Sequence, residues 1–310
     1  MEKKKSYGLL IIGAILLIAG IILAVITFNN SYQESVTVGN TLKEVKAQIS
    51  AINDGTATGD LDALKAQQTE LSAEKLGLER PYSYSLALVF LSVLLTAKGI
   101  YNAVHGVYKS TKTDIRRLAM AGLLAALCYI GFAFFKIDIP VGTEKTAFHF
   151  GNVFCVLAAL LLGGYWGGLA GAVGLTIADL TTAYVTSAPK TFLLKLCIGL
   201  IVGFVAHKIF KLDQNHDAKY VTKVTILASA CGMGFNIIAD PLVGYFYKTY
   251  LLGVPQDLAA NLAKINLGVT SVNAVLAVIL ASLFYFALRP ALKKSGLFFN
   301  VTPVVEKPEK

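Results

Sequence analysis

Eight residues carry the polar chemistry that this chain sets inside apolar sequence. His149, Asn152, Asp179, Lys195, Asn236, Asp240, Asn266 and Asn273 lie within or beside runs of Leu, Ile, Val, Ala and Gly. Acids, amides and amines at membrane depth are costly, so they line a cavity or a pathway, or they pair with one another. An ammonium at Lys195 would face an anionic or carbonyl group, and a carboxylate at Asp179 or Asp240 would accept from a hydroxyl or a ring N–H. The plainer alternative is an Asp179–Lys195 ion pair with the asparagines bridging helices. Either way the chemistry is recognition, not bond breaking. No HExxH or GxSxG motif supplies a hydrolytic centre, and no GxxxxGK[ST] loop cradles a nucleotide. Cys128, Cys155, Cys197 and Cys231 fall singly in separate apolar runs without metal-binding spacing, so neither a metal nor a cofactor is expected.

The elements that must position these groups follow from composition. Of 310 residues, 55% are hydrophobic and only 15% are charged, where a soluble domain carries about a quarter. Several apolar runs are long enough to cross a hydrocarbon core of ~30 Å. The fold class is therefore all-α, a polytopic membrane protein. The net charge of +9 sits at the ends of apolar runs, where it sets orientation and meets anionic lipid headgroups. No basic stripe with interleaved aromatics is present, which excludes nucleic acid as a partner.

In chain order, Lys3, Lys4 and Lys5 precede a first span at 7–28 and place the N-terminus in the cytoplasm. The polar stretch 29–80 reads as an extracellular helical hairpin around NDGTATG, with Leu42, Val45, Ile49 and Ile52 at helical spacing. It holds no His, Cys or aromatic cluster, which suits a spacer or docking element. Pro81 should stop the hairpin before a return span at 84–107. Residues 1–108 thus form a two-span module, 109–117 a basic cytoplasmic linker, and 117–288 a six-span bundle. The spans run 117–135, 148–163, 165–184, 190–209, 222–247 and 264–288. The remainder, 289–310, reads as a cytoplasmic basic tail that becomes disordered from Phe298. Both termini come out cytoplasmic.

Alternating span direction places the polar residues at one level. His149 and Asn152 open span two, Asp179 lies in the outer third of span three, and Lys195 lies roughly 9 Å below the outer surface of span four. Asn236 and Asp240 occupy the outer half of span five, and span six enters with Asn266 and reaches Asn273 near mid-membrane. The inner halves are nearly pure aliphatic. A channel or self-sufficient secondary transporter would continue polar to the inner face. A pocket for a small polar molecule, open outside and closed below, fits better. Gly163, Gly167 and Gly171, with Gly164, Gly168 and Ala172 beside them, repeat at i+4 and suit packing of spans two and three across the GGYWGG turn. The small face of span one, Ala119, Ala121, Gly122, Ala125 and Ala126, suits a dock for another membrane protein.

The AGLLAAL face, FGNVFCVLAALLLGGYWGGLAGAVG leading into IADL, and the PxTxxxKxxxGLxxG run from Pro189 to Gly203 make 117–288 resemble a known family. It resembles the substrate-binding S components of energy-coupling factor vitamin transporters, in particular the riboflavin-type group. The resemblance implies a six-helix binding subunit in the cell membrane, facing outward, partnered by a membrane coupling subunit and two cytoplasmic ATPases. It also implies a docking face at Ala121, Gly122 and Ala125, and a lid at 138–147 with Thr143 and Glu144 closing over a vitamin. The two-span module at 1–108 departs from the usual S component. A sensor or interaction protein using the external hairpin is the alternative that module leaves open.

Overall fold

A computed structural model describes residues 7–105, 115–142 and 144–301. The chain divides into two compact units. The first holds α1 (Gly8–Asn53), α2 (Leu61–His105) and the short segment Asp179–Pro189. The second runs from α3 (Ile115–Ala133) through the strands β1 (Lys136–Val141) and β2 (Glu144–His149), and through α4 (Gly151–Thr181) as far as residue 178. It resumes at Lys190 in α5 (Ala188–Gly203) and continues with α6 (Ala218–Phe246) and α7 (Gln256–Lys294). Single π-helical turns extend α5 to Ile209 and α6 to Leu251. Among the described residues, seven helices are long and apolar enough to cross a membrane.

In the first unit the expected breaks at Asn29 and Pro81 are absent. α1 is one helix of 46 residues and α2 one of 45, each roughly 68 Å long at 1.5 Å per residue. They pair antiparallel because glycines let the backbones touch. A side chain at Gly99 would strike the Leu10 backbone, and one at Gly13 the Thr96 backbone. Beyond the apolar half, Ser35, Val38, Leu42 and Val45 are buried at alternating three- and four-residue spacing, the seam of a two-stranded coiled coil. Pro81 lies inside α2. Proline deprives the preceding turn of a donor, but Ser85 Oγ donates to the Pro81 carbonyl at 2.8 Å and lies 3.1 Å from Thr27 Oγ1 of α1. Packing across the pair also holds this level. Phe28 stacks on Tyr32 at 4.2 Å between centroids, and buried Tyr82 meets both edge-on. Of these three rings only Tyr32 belongs to 29–80; Phe28 and Tyr82 flank it. Tyr84 Oη donates to the Leu180 carbonyl, fastening Asp179–Pro189 to α2.

In the second unit, α4 is interrupted at Gly163, whose φ of 83° and ψ of 171° are not helical. The chain reverses there. Side chains placed at Gly167 and Gly171 would collide with Ala158, Ala159 and Cys155 of the preceding half, so 151–162 and 164–181 form a tight antiparallel pair. The first half spans only about 18 Å. Gly164 and Gly168 face α5 instead, interlocked with Gly199 and Gly203, while Gly174 abuts the Ala125 carbonyl of α3. The second half of α4 thus touches three neighbours at backbone distance.

The loop after α3 is a β-hairpin, which helical periodicity did not indicate. Residues 136–141 pair antiparallel with 144–149, Val141 opposite Glu144. Gly142 takes the left-handed conformation at the turn with φ of 61°, and Thr143 lies outside the described residues. At the far end of the unit, residues expected to be disordered from Phe298 are packed as far as Val301. Phe299 is buried beneath the Arg117 guanidinium, and the Val301 N–H donates to Asp213 at 2.7 Å.

Candidate functional site

The second unit brings seven of the eight expected residues onto elements that face one another. Asp179 belongs to the first unit. The seven fall into two layers.

The outer layer is a closed chain of bonds centred on Asp240 of α6. Its Oδ1 accepts from Lys190 Nζ of α5 at 2.6 Å, and its Oδ2 accepts from Asn266 Nδ2 at 2.8 Å and Thr270 Oγ1 at 3.2 Å, both of α7. Asn266 Oδ1 in turn accepts from Thr146 Oγ1 of β2 at 2.7 Å. The carboxylate therefore faces an ammonium, an amide and a hydroxyl at once, and both ends of the Asn266 amide are engaged. Nearby, Lys248 Nζ meets Glu144 Oε2 at 2.5 Å at the turn end of β2. At the other end of β2, Asn273 acts like a short piece of strand: its Oδ1 accepts from the His149 N–H and its Nδ2 donates to the Ala147 carbonyl, both at 3.0 Å. Asp240, Asn266, Asn273 and Glu144 thus bind the β-hairpin to the helices. Lys190, Lys248, Thr146 and Thr270 complete that layer. They read as ordinary loop and helix residues because nothing in local spacing says which side chain they meet across the fold.

The inner layer lies about one to two turns deeper on the same elements. Asn236 precedes Asp240 by one turn, Lys195 follows Lys190 by five residues, and Asn152 follows His149 by three. Here the amides of the two asparagines are not fully matched. Asn236 is 1% exposed and neither its Oδ1 nor its Nδ2 has a hydrogen-bond partner. Asn152 is 2% exposed with Oδ1 unpartnered, and the same holds for His149 Nδ1 and Thr176 Oγ1. Thr176 is a further candidate; its hydroxyl, four residues from Ala172 in a small-residue helix, carried no signal of its own. The His149 ring packs edge-on to Phe132 of α3 at 4.7 Å. Buried polar atoms without partners cost free energy, and Asn152, Asn236, His149 and Thr176 each hold at least one. Among the described residues no cluster of His, Cys, Asp or Glu could hold a metal ion.

On α3 the small residues divide between inside and outside. Ala121 is 7% exposed, and the Ala125 carbonyl lies against Gly174. A side chain at Gly122 would meet nothing within 4 Å, and Leu118 and Leu123 beside it are exposed. Of the expected docking residues, Gly122 is therefore the one that faces outward. Ala119 and Ala126 share that exposed side.

Seven helices long and apolar enough to cross a membrane, among the described residues, define a multi-pass membrane protein. Residues 112–290 match the family model of the ECF-type riboflavin transporter S component. This is more than half of the chain, and the chain belongs to that family. Comparisons with curated proteins and with solved structures give no match.

Proposed function

We propose that this chain is the substrate-binding subunit of an energy-coupling factor transporter, capturing a water-soluble vitamin, riboflavin foremost, from outside for uptake driven by partner subunits. The observation that carries the reading is the pair of buried asparagines, Asn152, whose Oδ1 lacks a partner, and Asn236, whose Oδ1 and Nδ2 both lack one. An amide presents a donor and an acceptor side by side, which suits the imide-like edge of a planar heterocycle. Phe132 and His149 would line one side of it. Lys195 lies deep enough to face a carbonyl or hydroxyl. The charges of the outer layer are already matched as Lys190–Asp240 and Lys248–Glu144, which favours a neutral ligand over a phosphorylated one.

In this reading the chain hydrolyses nothing, and ATP is used by two cytoplasmic ATPases through a membrane coupling subunit. The coupling subunit docks on the exposed side of α3 at Ala119, Gly122 and Ala126, both termini are cytoplasmic, and the polar half of the α1–α2 hairpin projects outside. The test is a fluorescence titration of the purified chain with riboflavin in the absence of ATP and partners, accompanied by native mass spectrometry for a co-purified ligand. Saturable binding in the nanomolar to micromolar range is expected. Absence of binding to riboflavin and to a panel of other water-soluble vitamins would refute it.

A further inference from the structure

Residues 297–301, the last described, lie in a notch at the far end of the second unit. Gly296, with φ of 70°, turns the chain out of α7, and the Leu297 and Phe298 N–H groups both donate to the Leu292 carbonyl at 3.0 Å. Beyond that turn the segment makes its own contacts with the rest of the unit. Phe299 is buried beneath the Arg117 guanidinium of α3 at 5.0 Å, and the same guanidinium donates to the Asn300 carbonyl at 3.5 Å. The Val301 N–H donates to Asp213, in the loop before α6. A side chain at Gly163 would meet Val301 Cγ1 at 2.5 Å, so the glycine that reverses α4 also makes the room that Val301 fills. Met120, Leu161, Leu162 and Leu292 add an apolar lining. Asp213 is itself braced: its Oδ1 lies 3.7 Å from His207 Nδ1, and His207 Nε2 donates to the Leu160 carbonyl at 3.1 Å. That carbonyl belongs to the last turn before the break at Gly163, and a helix leaves its final carbonyls without intrahelical donors.

The segment is held as a short peptide would be held. One ring fills an apolar slot, an aliphatic side chain fills a second slot two residues on, and a backbone carbonyl and N–H between them meet a guanidinium and a carboxylate. Residues 297–301 belong to no helix or strand, so lifting them off unfolds no other element. Segments tied by few buried contacts open well before the whole fold does. We propose that the notch is a peptide-binding site for an aromatic–x–β-branched segment, filled by the chain's own Phe299–Asn300–Val301 as a releasable strap that pins one end of α3. Engaged, the strap fixes Arg117 and Met120 of α3 against α4 and α7. Released, it takes one partner from Arg117 and one from Asp213 and leaves that end of α3 free to move. The cost of those lost bonds draws the strap back. The protein thus carries a two-state brace on the helix that presents Gly122 and its exposed small face. What docks on that face rests on the binding-subunit reading; the strap does not.

The test is hydrogen exchange of the full chain in lipid nanodiscs, with neither vitamin nor partner present. Phe299→Ala should speed exchange across 119–124 roughly tenfold or more, the scale of losing one large buried side chain. Val301→Pro removes the N–H given to Asp213 while keeping an apolar side chain, and should act in the same direction more mildly. The free peptide SGLFFNVTP, residues 295–303, added to Phe299→Ala should then restore protection saturably. The peptide SGLFANVTP, which carries the same replacement, should not. The unaltered chain, with its notch already filled, should respond to neither peptide at the concentration that rescues the variant. Where Phe299→Ala does not fold, the same two peptides on Val301→Pro decide the matter. Unchanged exchange across 119–124 in both variants, rescue by neither peptide, or equal rescue by both would each overturn the strap. No step uses riboflavin, so failure here leaves the binding-subunit reading standing, and a chain that binds no vitamin is still tested for its strap.

Discussion

Asn236 and Asn273 are the same residue type at nearly the same burial, 1% and 4% exposed, yet substituting them should move stability in opposite directions. Asn236 buries an amide with two unpartnered atoms. Leucine has a similar shape and removes that penalty, about 1–3 kcal/mol for a buried unsatisfied group. For a chain of this size each kcal/mol shifts the melting temperature by roughly 2–4 °C, so Asn236→Leu should raise Tm by about 2–12 °C while abolishing riboflavin binding. Asn273→Leu does the reverse. It removes two 3.0 Å bonds and strands the His149 N–H and the Ala147 carbonyl, a loss of about 2–4 kcal/mol at the usual 1 kcal/mol per bond plus desolvation. Thermal unfolding of the ligand-free protein in one detergent, followed by Trp166 fluorescence, compares the two directly. A destabilised Asn236→Leu would refute the reasoning, because it would mean that the amide is held by structure and not kept for a ligand.

Two further outcomes are expected. A side chain at Gly203 would meet the Gly164 backbone nitrogen, whereas one at Gly234 meets nothing within 4 Å. Gly203→Ala should therefore unfold at clearly lower temperature, and Gly234→Ala should be neutral or gain up to about 1 kcal/mol of helix propensity. Finally, truncation after Leu297 removes buried Phe299 and the Val301 bond to Asp213; a loss of about 2–4 kcal/mol should appear as a lower denaturant midpoint.

Much of the fold was legible because bilayers enforce length and composition. The apolar runs, the reversal at the GGYWGG turn and the basic residues at run ends all follow from requirements on single segments. The errors share one cause. Asn29 and Pro81 looked like helix boundaries because local polarity and proline usually end helices, but α1 and α2 support each other through Gly13, Gly99 and the Thr27–Ser85 contact. The β-hairpin escaped notice because KIDIPV and EKTAFH are too short to declare a period, and the pairing that makes them strands is non-local. Phe298 to Val301 looked like the start of a tail because the cations that bind it, Arg117 and Arg289, lie far off in sequence.

The site was legible to the level of position but not of role. Polar residues inside apolar spans are rare enough that each marks a place where the helix faces something other than lipid, and direction of travel sorts those places by depth. What a side chain faces there is a different question. Asn266, Asn273 and Asn236 have equivalent surroundings along the chain, and only tertiary contact separates an amide closing a cap from one left open. The same logic divides α3, where Ala121, Gly122 and Ala125 form one small-residue motif, but rotation of the helix turns Ala121 inward and Gly122 outward. A motif fixes which residues can permit close approach. The neighbour already present decides which of them remain available, and for Asp240 that neighbour set, Lys190, Asn266 and Thr270, already occupies both carboxylate oxygens.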